Sequence, residues 1–325
     1  MNAFDYTQAS NPTDAVRLVG AKPATRFIAG GTNLLDLMKY GVESPETLVD
    51  ISRLSLADVT KTANGLRIGS LARNSDVAAN PLVTSAFPLL SQALLAGASP
   101  QLRNMATMGG NLMQRTRCYY FYDISTPCNK RQPGSGCGAI GGYNRLHAIL
   151  GASEQCIATN PSDMNVALSA LGAIIQITGP NGSRTIPVAA FHRLPGSEPQ
   201  RDTVLGENEL ITGVELTSPS QPSKSHYLKV RDRASYAFAL VSVATRMAVS
   251  NGIIRDVRIA LGGVAHKPWR LPEVETSMVG KPATESTFRE AARQLLAGAK
   301  TYEFNAFKVP MAEAAIIRAL MVVKG

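Results

Sequence analysis

The stretch from Arg115 to about Gly151 constrains the fold of this chain more than any other part of it. It holds Pro127, Pro133 and many glycines, and it has little helical or strand periodicity. Cys118, Cys128 and Cys137 lie in it and Cys156 follows just beyond, so it gathers nearly all the cysteine of the 325 residues. Structureless loops longer than about 15 residues are uncommon in compact domains, and where they occur they are usually functional. The chain must therefore fold around this segment, and the segment is a functional candidate.

The flanking sequence is regular. Arg26–Ala29 reads as a short strand ending in Gly30-Gly31. Leu34, Leu35, Leu37 and Met38 space as one helical face, which Gly41 stops. Leu48, Val49 and Ile51, then Leu66, Ile68 and Leu71, are two further strand candidates, and Phe87–Ala98 reads as a buried helix. After the cysteines a helix is expected from Met164 to about Ala170 and a strand over Ala173–Ile177. Residues 215–225, rich in Ser and Pro, mark a domain boundary. Beyond it Val257, Ile259 and Leu261 alternate into Gly262-Gly263. Phe288, Ala291, Ala292, Leu295 and Leu296 follow helical spacing, with Thr287 and Glu290 as a capping box, and a last helix runs from Met311 to about Val323.

Four cysteines at intervals of ten, nine and nineteen admit three readings. Two disulfides are allowed by the even count. A chain with 45% hydrophobic residues buries a core without such staples, however, and the N-terminus MNAFDYTQAS lacks the basic-then-apolar pattern of an export signal. A zinc site normally uses a tight C-x2-4-C knuckle, which is missing. An iron–sulfur cluster takes four thiolates at variable spacing, in loops whose backbone N–H groups reach the sulfurs. His147 is a substitute ligand on paper, but four cysteines suffice, which leaves it as an exposed loop histidine.

The glycine turns carry a second chemistry. Ala29-Gly30-Gly31-Thr32-Asn33-Leu34 sits between a strand and a helix, where glycines let the backbone approach a phosphate. Thr32 and Asn33 either cap the helix or donate to a diphosphate. Thr107-Met108-Gly109-Gly110-Asn111 repeats that chemistry, so two turns could clasp one diphosphate. Gly136-Cys137-Gly138-Ala139-Ile140-Gly141 matches G-x-G-x-x-G in form only, because Asn129-Lys130-Arg131-Gln132-Pro133 precedes it instead of a strand. The net charge of +9 is scattered and aromatics are 6%, which argues against nucleic acid, and no apolar run is long enough to span a membrane.

Ala29–Leu34, Gln101-Leu102-Arg103-Asn104, Thr107–Leu112 and Pro161-Ser162-Asp163 resemble the FAD-binding subunit of the molybdenum hydroxylases, the xanthine dehydrogenase family. Tyr227-Leu228-Lys229, Ala239–Ala244 and Ile259–Ala265 resemble its last domain. The resemblance implies an α+β fold: a two-part FAD-binding domain of the vanillyl-alcohol-oxidase type over residues 1–220, then a smaller α+β domain of the CO-dehydrogenase flavoprotein type over 221–325. Asn111 and Pro161 stand fifty apart, farther than in most of the family, and residues 113–157 fall in the gap. An insertion at this place carries a [4Fe–4S] cluster in 4-hydroxybenzoyl-CoA reductases and in periplasmic aldehyde oxidoreductases. Arg115–Asp123, Pro127–Arg131 and Lys229–Phe238 look most like the second branch. The resemblance thus implies Cys118, Cys128, Cys137 and Cys156 as cluster ligands.

Carried over by position, Arg26, Phe27, Ile28, Ala29, Gly30, Gly31, Thr32, Asn33 and Leu34 would wrap the FAD diphosphate, with Thr107, Gly110 and Asn111 doing so from the second turn. Asp163 would hydrogen-bond the sugar or ribityl side, Ile211 would pack near the adenine or the ring, and Lys229 would lie beside the flavin and stabilise its anionic reduced form. Lys229 is otherwise a surface lysine at a strand end. Substrate chemistry would belong to a partner subunit holding the molybdenum cofactor, which oxidises an aldehyde to a carboxylic acid. A small partner with two [2Fe–2S] clusters would pass electrons to FAD, and a ferredoxin-like protein, a quinone or oxygen would accept them. The alternatives are a 4-hydroxybenzoyl-CoA-reductase-like flavoprotein, or a flavin-free zinc or disulfide protein. The implied location is the periplasm, by co-export with a signal-bearing partner, and the alternative is the cytoplasm.

Overall fold

The computed structural model describes residues 1–325 and contains three sheets. The first is parallel, with β1 (Asp5–Gln8), β2 (Thr25–Ile28) and β3 (Thr47–Asp50) in the order β1-β3-β2. Its middle strand, Thr-Leu-Val-Asp, is buried throughout, as a strand covered on both faces must be. The second sheet is antiparallel in the order β4-β5-β8-β6-β7. Its strands are β4 (Val59–Thr62), β5 (Gly65–Gly69), β6 (Ile174–Gly179), β7 (Gly182–Pro187) and β8 (Leu210–Thr217). The third, order β11-β10-β9, joins β9 (Lys224–Val230), β10 (Val241–Ser250) and β11 (Ile253–Gly262) in antiparallel register.

The helices Pro88–Ala96 and Asp163–Leu171 form the layer between the second and third sheets. The second of them is buried at every residue from Asp163 to Ala170, among them the polar Asp163, Asn165 and Ser169. The opposite face of the third sheet is covered by Glu285–Leu295 and Lys308–Val323. Enclosed on both faces, β10 reads as a nearly unbroken apolar run. Arg246, the one charge in that run, is paired with Asp256 of β11 at 2.6 Å. No helix is long and apolar enough to cross a membrane.

Two helix starts differ from the sequence reading. The N-cap of Glu285–Leu295 is Thr284, whose Oγ1 accepts from the Thr287 N–H at 3.4 Å. Thr287 and Glu290 therefore form no capping box, and Glu290 accepts instead from Gln294 at 2.9 Å. The last helix begins at Lys308, ahead of Met311. Pro310 falls in its first turn, where a missing N–H breaks no intrahelical bond. Between Arg115 and Gly151 the only helix is Tyr119–Tyr122, and turns make up most of the rest.

The position of the cap is testable. Thr284→Ala should cost about 1 kcal/mol in urea unfolding, whereas Thr287→Ala and Glu290→Ala should cost only a few tenths. Equal losses at Thr284 and Thr287 would contradict the assignment.

Candidate functional site

The first glycine turn leaves β2 and enters the helix Leu34–Lys39. A Cβ on Gly30 would lie 1.9 Å from the carbonyl oxygen of Met105, so only glycine lets this turn lie against the chain leading into the second turn. The backbone N–H groups of Gly30, Gly31, Thr32 and Asn33 donate to no protein acceptor. These residues line a cleft of about 680 Å³, whose walls include every residue from Arg26 to Leu34 together with Thr107, Gly110 and Ile211. That volume lies within the range of about 300–1,000 Å³ usual for ligand pockets.

The second turn is built differently. Thr107 caps the short helix Met108–Leu112, its Oγ1 accepting from Gly110 at 3.2 Å. Gly109 donates to the Ser70 carbonyl at 2.7 Å. These N–H groups are engaged inside the protein, so the turn contributes a wall and not a set of free donors. Asn111 lies off the cleft, its Oδ1 accepting from Ser162 Oγ at 2.7 Å. That bond ties the second turn to the Pro161-Ser162-Asp163 motif.

Asp163 opens onto a narrow cavity of about 30 Å³ that Cys118, His147, Phe238 and Gly263 also line. Its carboxylate accepts from Tyr227 Oη at 2.6 Å and pairs with Lys229 Nζ at 2.8 Å. Lys229 is therefore a buried lysine, 4% exposed, and not the surface residue its strand-end position suggests. Burial and the neighbouring Asp163 push the Tyr227 hydroxyl well above the ordinary tyrosine value, so it stays a donor.

The four cysteines are unpaired and line a single small cavity. Cys128 and Cys137 face each other across a β-bridge, and Ala158 donates its N–H to Cys156 Sγ at 3.4 Å. Burial pushes the Cys118 thiol up to about 12 and the Cys156 thiol up to about 11. No three His, Cys, Asp or Glu side chains gather as the ligands of a metal ion. His147 is not an exposed loop residue. It is 2% exposed, with Nε2 3.0 Å from Cys118 Sγ, and burial pushes it down to about 4.

Some residues of the cleft escape sequence reasoning. Asn33 Nδ2 and Gln200 Oε1, on residues lining the cleft, are buried with no hydrogen-bond partner, one a donor and the other an acceptor. Free backbone donors with an unused amide beside them fit the diphosphate of a dinucleotide. Glu43, Arg115, Gln200 and Asp202 line the same cleft, and nothing in the periodicity around Gln200 and Asp202 marks them.

Residues 2–219 match the family of the FAD binding domain in molybdopterin dehydrogenase, and residues 226–320 match the CO dehydrogenase flavoprotein C-terminal domain. The chain is a FAD-binding subunit of the molybdenum hydroxylase family. It is 49% identical over 316 residues to the aldehyde oxidoreductase FAD-binding subunit of Escherichia coli, covering 96% of each chain. It is 30% identical over 293 residues to the glyceraldehyde dehydrogenase medium chain of Sulfolobus acidocaldarius, covering 90% of this chain and 86% of the relative. Among solved structures, carbon monoxide dehydrogenase from Hydrogenophaga pseudoflava is similar with a TM-score of 0.78 at 26% identity, covering 98% of this chain and 96% of that one. This FAD-binding subunit is thus an oxidoreductase subunit with the α+β fold of its family.

Two outcomes follow for the subunit. Gly30→Ala should weaken FAD binding by at least tenfold in a fluorescence titration, because the turn must move away from Met105 before it can accept a Cβ. Unchanged affinity would refute that close approach. The second outcome concerns pH. Burial pushes His192 and His266 down to about 4, from an ordinary value of 6.5. Below pH 6.5 the unfolded chain binds protons that the folded chain refuses. Stability should be full above pH 6.5 and decline as the pH falls toward 4, and a melting temperature that stays flat from pH 7 to 5 would count against it.

Proposed function

We propose that this chain is the FAD- and [4Fe–4S]-binding electron-transfer subunit of a heterotrimeric aldehyde oxidoreductase, taking electrons from aldehyde oxidation on a molybdenum subunit, through a [2Fe–2S] subunit, to FAD and on to an external acceptor. The carrying observation is the convergence of Cys118, Cys128, Cys137 and Cys156 on one small cavity, in a chain 49% identical to an aldehyde oxidoreductase FAD-binding subunit. A cluster presents several irons at separate corners, so its four thiolates need not crowd one point as the ligands of a single ion must. The donor set fits the group. Buried thiols whose deprotonation is disfavoured become thiolates when a cationic metal faces them.

FAD, when bound, supplies the exchange of electrons between donors and acceptors. The protein's part is to bind and orient it. The free N–H groups of Gly30–Asn33 hold the diphosphate, helped by the Asn33 amide. Ile211 packs on the far wall of the cleft. Asp163 would hydrogen-bond the ribityl or sugar hydroxyls, and Lys229 and Tyr227 fix its carboxylate in direction. Lys229 thus acts on the flavin through Asp163. Thr116 and Cys118 line both the narrow cavity and the cysteine cavity, so the two sites share a wall. The likeness of Arg115–Arg131 to the periplasmic branch supports export with a signal-bearing partner and a periplasmic location.

The test is the content of iron, zinc and FAD in this subunit, purified anaerobically with its partners and then separated from them. Wild-type subunit should carry about four irons and one FAD. Cys128→Ser and Cys137→Ser should lose most of that iron while FAD is still bound. FAD without iron would end the cluster reading, and zinc without flavin would end the electron-transfer reading altogether.

A further inference from the structure

Of the three buried polar atoms left without partners on residues of the cleft, Ser70 Oγ, Asn33 Nδ2 and Gln200 Oε1, the last two belong to residues held by one and the same arginine. Asn33 Oδ1 accepts from the backbone N–H of Arg115 at 2.9 Å, and the carbonyl of Gln200 accepts from Arg115 Nη2 at 3.2 Å. Arg115 is the entry to the cysteine segment, and its guanidinium lies 4.8 Å above the ring of Phe121, which lines the cysteine cavity. It pairs with Glu43 and, through Nε, with Asp202 Oδ2 at 2.9 Å. The other oxygen of Asp202 accepts from Lys130 Nζ at 2.6 Å, and Lys130 also donates to the Pro199 carbonyl at 2.6 Å. The Lys130 side chain is 1% exposed, and this residue lines the cysteine cavity beside Cys128.

An unbroken chain of contacts therefore runs from the wall of the cysteine cavity, through the ion pairs Lys130–Asp202 and Asp202–Arg115, to the hydrogen bonds that the Arg115 backbone and guanidinium give to Asn33 and to the Gln200 carbonyl on the wall of the FAD cleft. Asp202 itself lines that cleft. Such a network does not deform gradually. A buried ammonium that loses its carboxylate is an uncompensated charge, so the contacts hold together or the segment rearranges. The segment carrying Lys130 has almost no helix or strand to hold it, so what fills the cysteine cavity decides which arrangement is stable.

We propose that the Lys130–Asp202–Arg115 network couples the two sites, so that occupancy of the cysteine cavity sets the affinity of the cleft for FAD. This rests on the cluster reading above. Coupling between two sites is reciprocal in binding free energy, so bound FAD must favour the filled cysteine site by the same factor. Asp202 is a positioning residue in this scheme. It holds the two cationic side chains in register, and through Arg115 the backbone of Gln200 and the side chain of Asn33.

The test uses the assembly purified with its partner subunits, its flavin removed and titrated back, before and after chelator and oxidant strip the iron. Iron removal should weaken FAD binding to the wild type by about tenfold, within the usual range of site–site coupling. In Asp202→Asn the same treatment should change the affinity less than twofold. Arg115→Lys keeps the charge but lacks the forked donors, should lose the coupling likewise, and carries the test if Asp202→Asn does not accumulate folded. A purely structural network would lower affinity equally in loaded and stripped protein, and equal factors in wild type and variants would overturn the proposal. So would a wild type whose FAD affinity ignores iron. Iron analysis of the untreated wild-type subunit, separated from its partners, stands apart from the titration. Absence of iron there would sink the cluster reading itself, and the coupling with it, whereas iron present without coupling would sink the coupling alone.

Discussion

The Asp163–Lys229 ion pair is the joint on which the two halves of this protein turn. Asp163 begins the helix packed between the second and third sheets, and Lys229 comes from β9 of the third sheet. At 2.8 Å, with Tyr227 Oη on the other carboxylate oxygen at 2.6 Å, the pair is nearly dry. Two buried charges with few alternative partners tolerate little displacement, because separating them leaves each one unsolvated. The third sheet is therefore fixed against the FAD-binding part in one orientation. The narrow cavity beside Asp163 inherits its shape from that constraint, since Phe238 and Gly263 reach it from the C-terminal half.

A second constraint, steric this time, shapes the long cleft. The first glycine turn lies against Met105 so closely that a single methyl group would separate them. This close packing divides the labour between the turns. The second spends its donors on Ser70, Ala72 and Thr107 and becomes a rigid backing, and the first keeps its donors free. Two similar glycine sequences thus arrive at different roles, because only one of them has carbonyl groups within reach of its amides.

Local sequence signals revealed the elements that obey local rules. The strand before Gly30, the helix stopped near Gly41, the buried helix after Phe87 and the strand near Val257 all stand within a few residues of their expected places, because apolar period and glycine punctuation are properties of a short window. The cap at Thr284 was displaced because two threonines three apart offer equivalent hydroxyls, and only the path of the chain into the helix selects one. His147 and Lys229 looked exposed because a loop or a strand end normally is, and both are covered by chain more than sixty residues away in sequence. The partners of Arg115 were invisible for the same reason. Glu43, Asp202 and Gln200 lie 72 to 87 residues from it, and no window holds them together.

That distance also explains why the irregular segment holds a single shape. A segment with one four-residue helix must be positioned by side chains. Arg131 donates to the carbonyls of Tyr120 and Phe121 at 2.8 Å each, closing the segment upon itself. Lys308, fully buried at the start of the last helix, donates to the carbonyls of His147 and Gly263, so the C-terminal helix holds the exit of the segment against the third sheet. Burial pushes the Lys308 ammonium down to about 7, so it remains a donor to those carbonyls whether or not it keeps its third proton. Carbonyl contacts of this kind survive a change of charge that would break an ion pair. The exit of the segment is held both by these carbonyl contacts and by the ion pair of Arg145 with Asp232 at 2.8 Å, whereas Arg115 and Lys130 hold the earlier part of the segment through Asp202, on the wall of the FAD cleft.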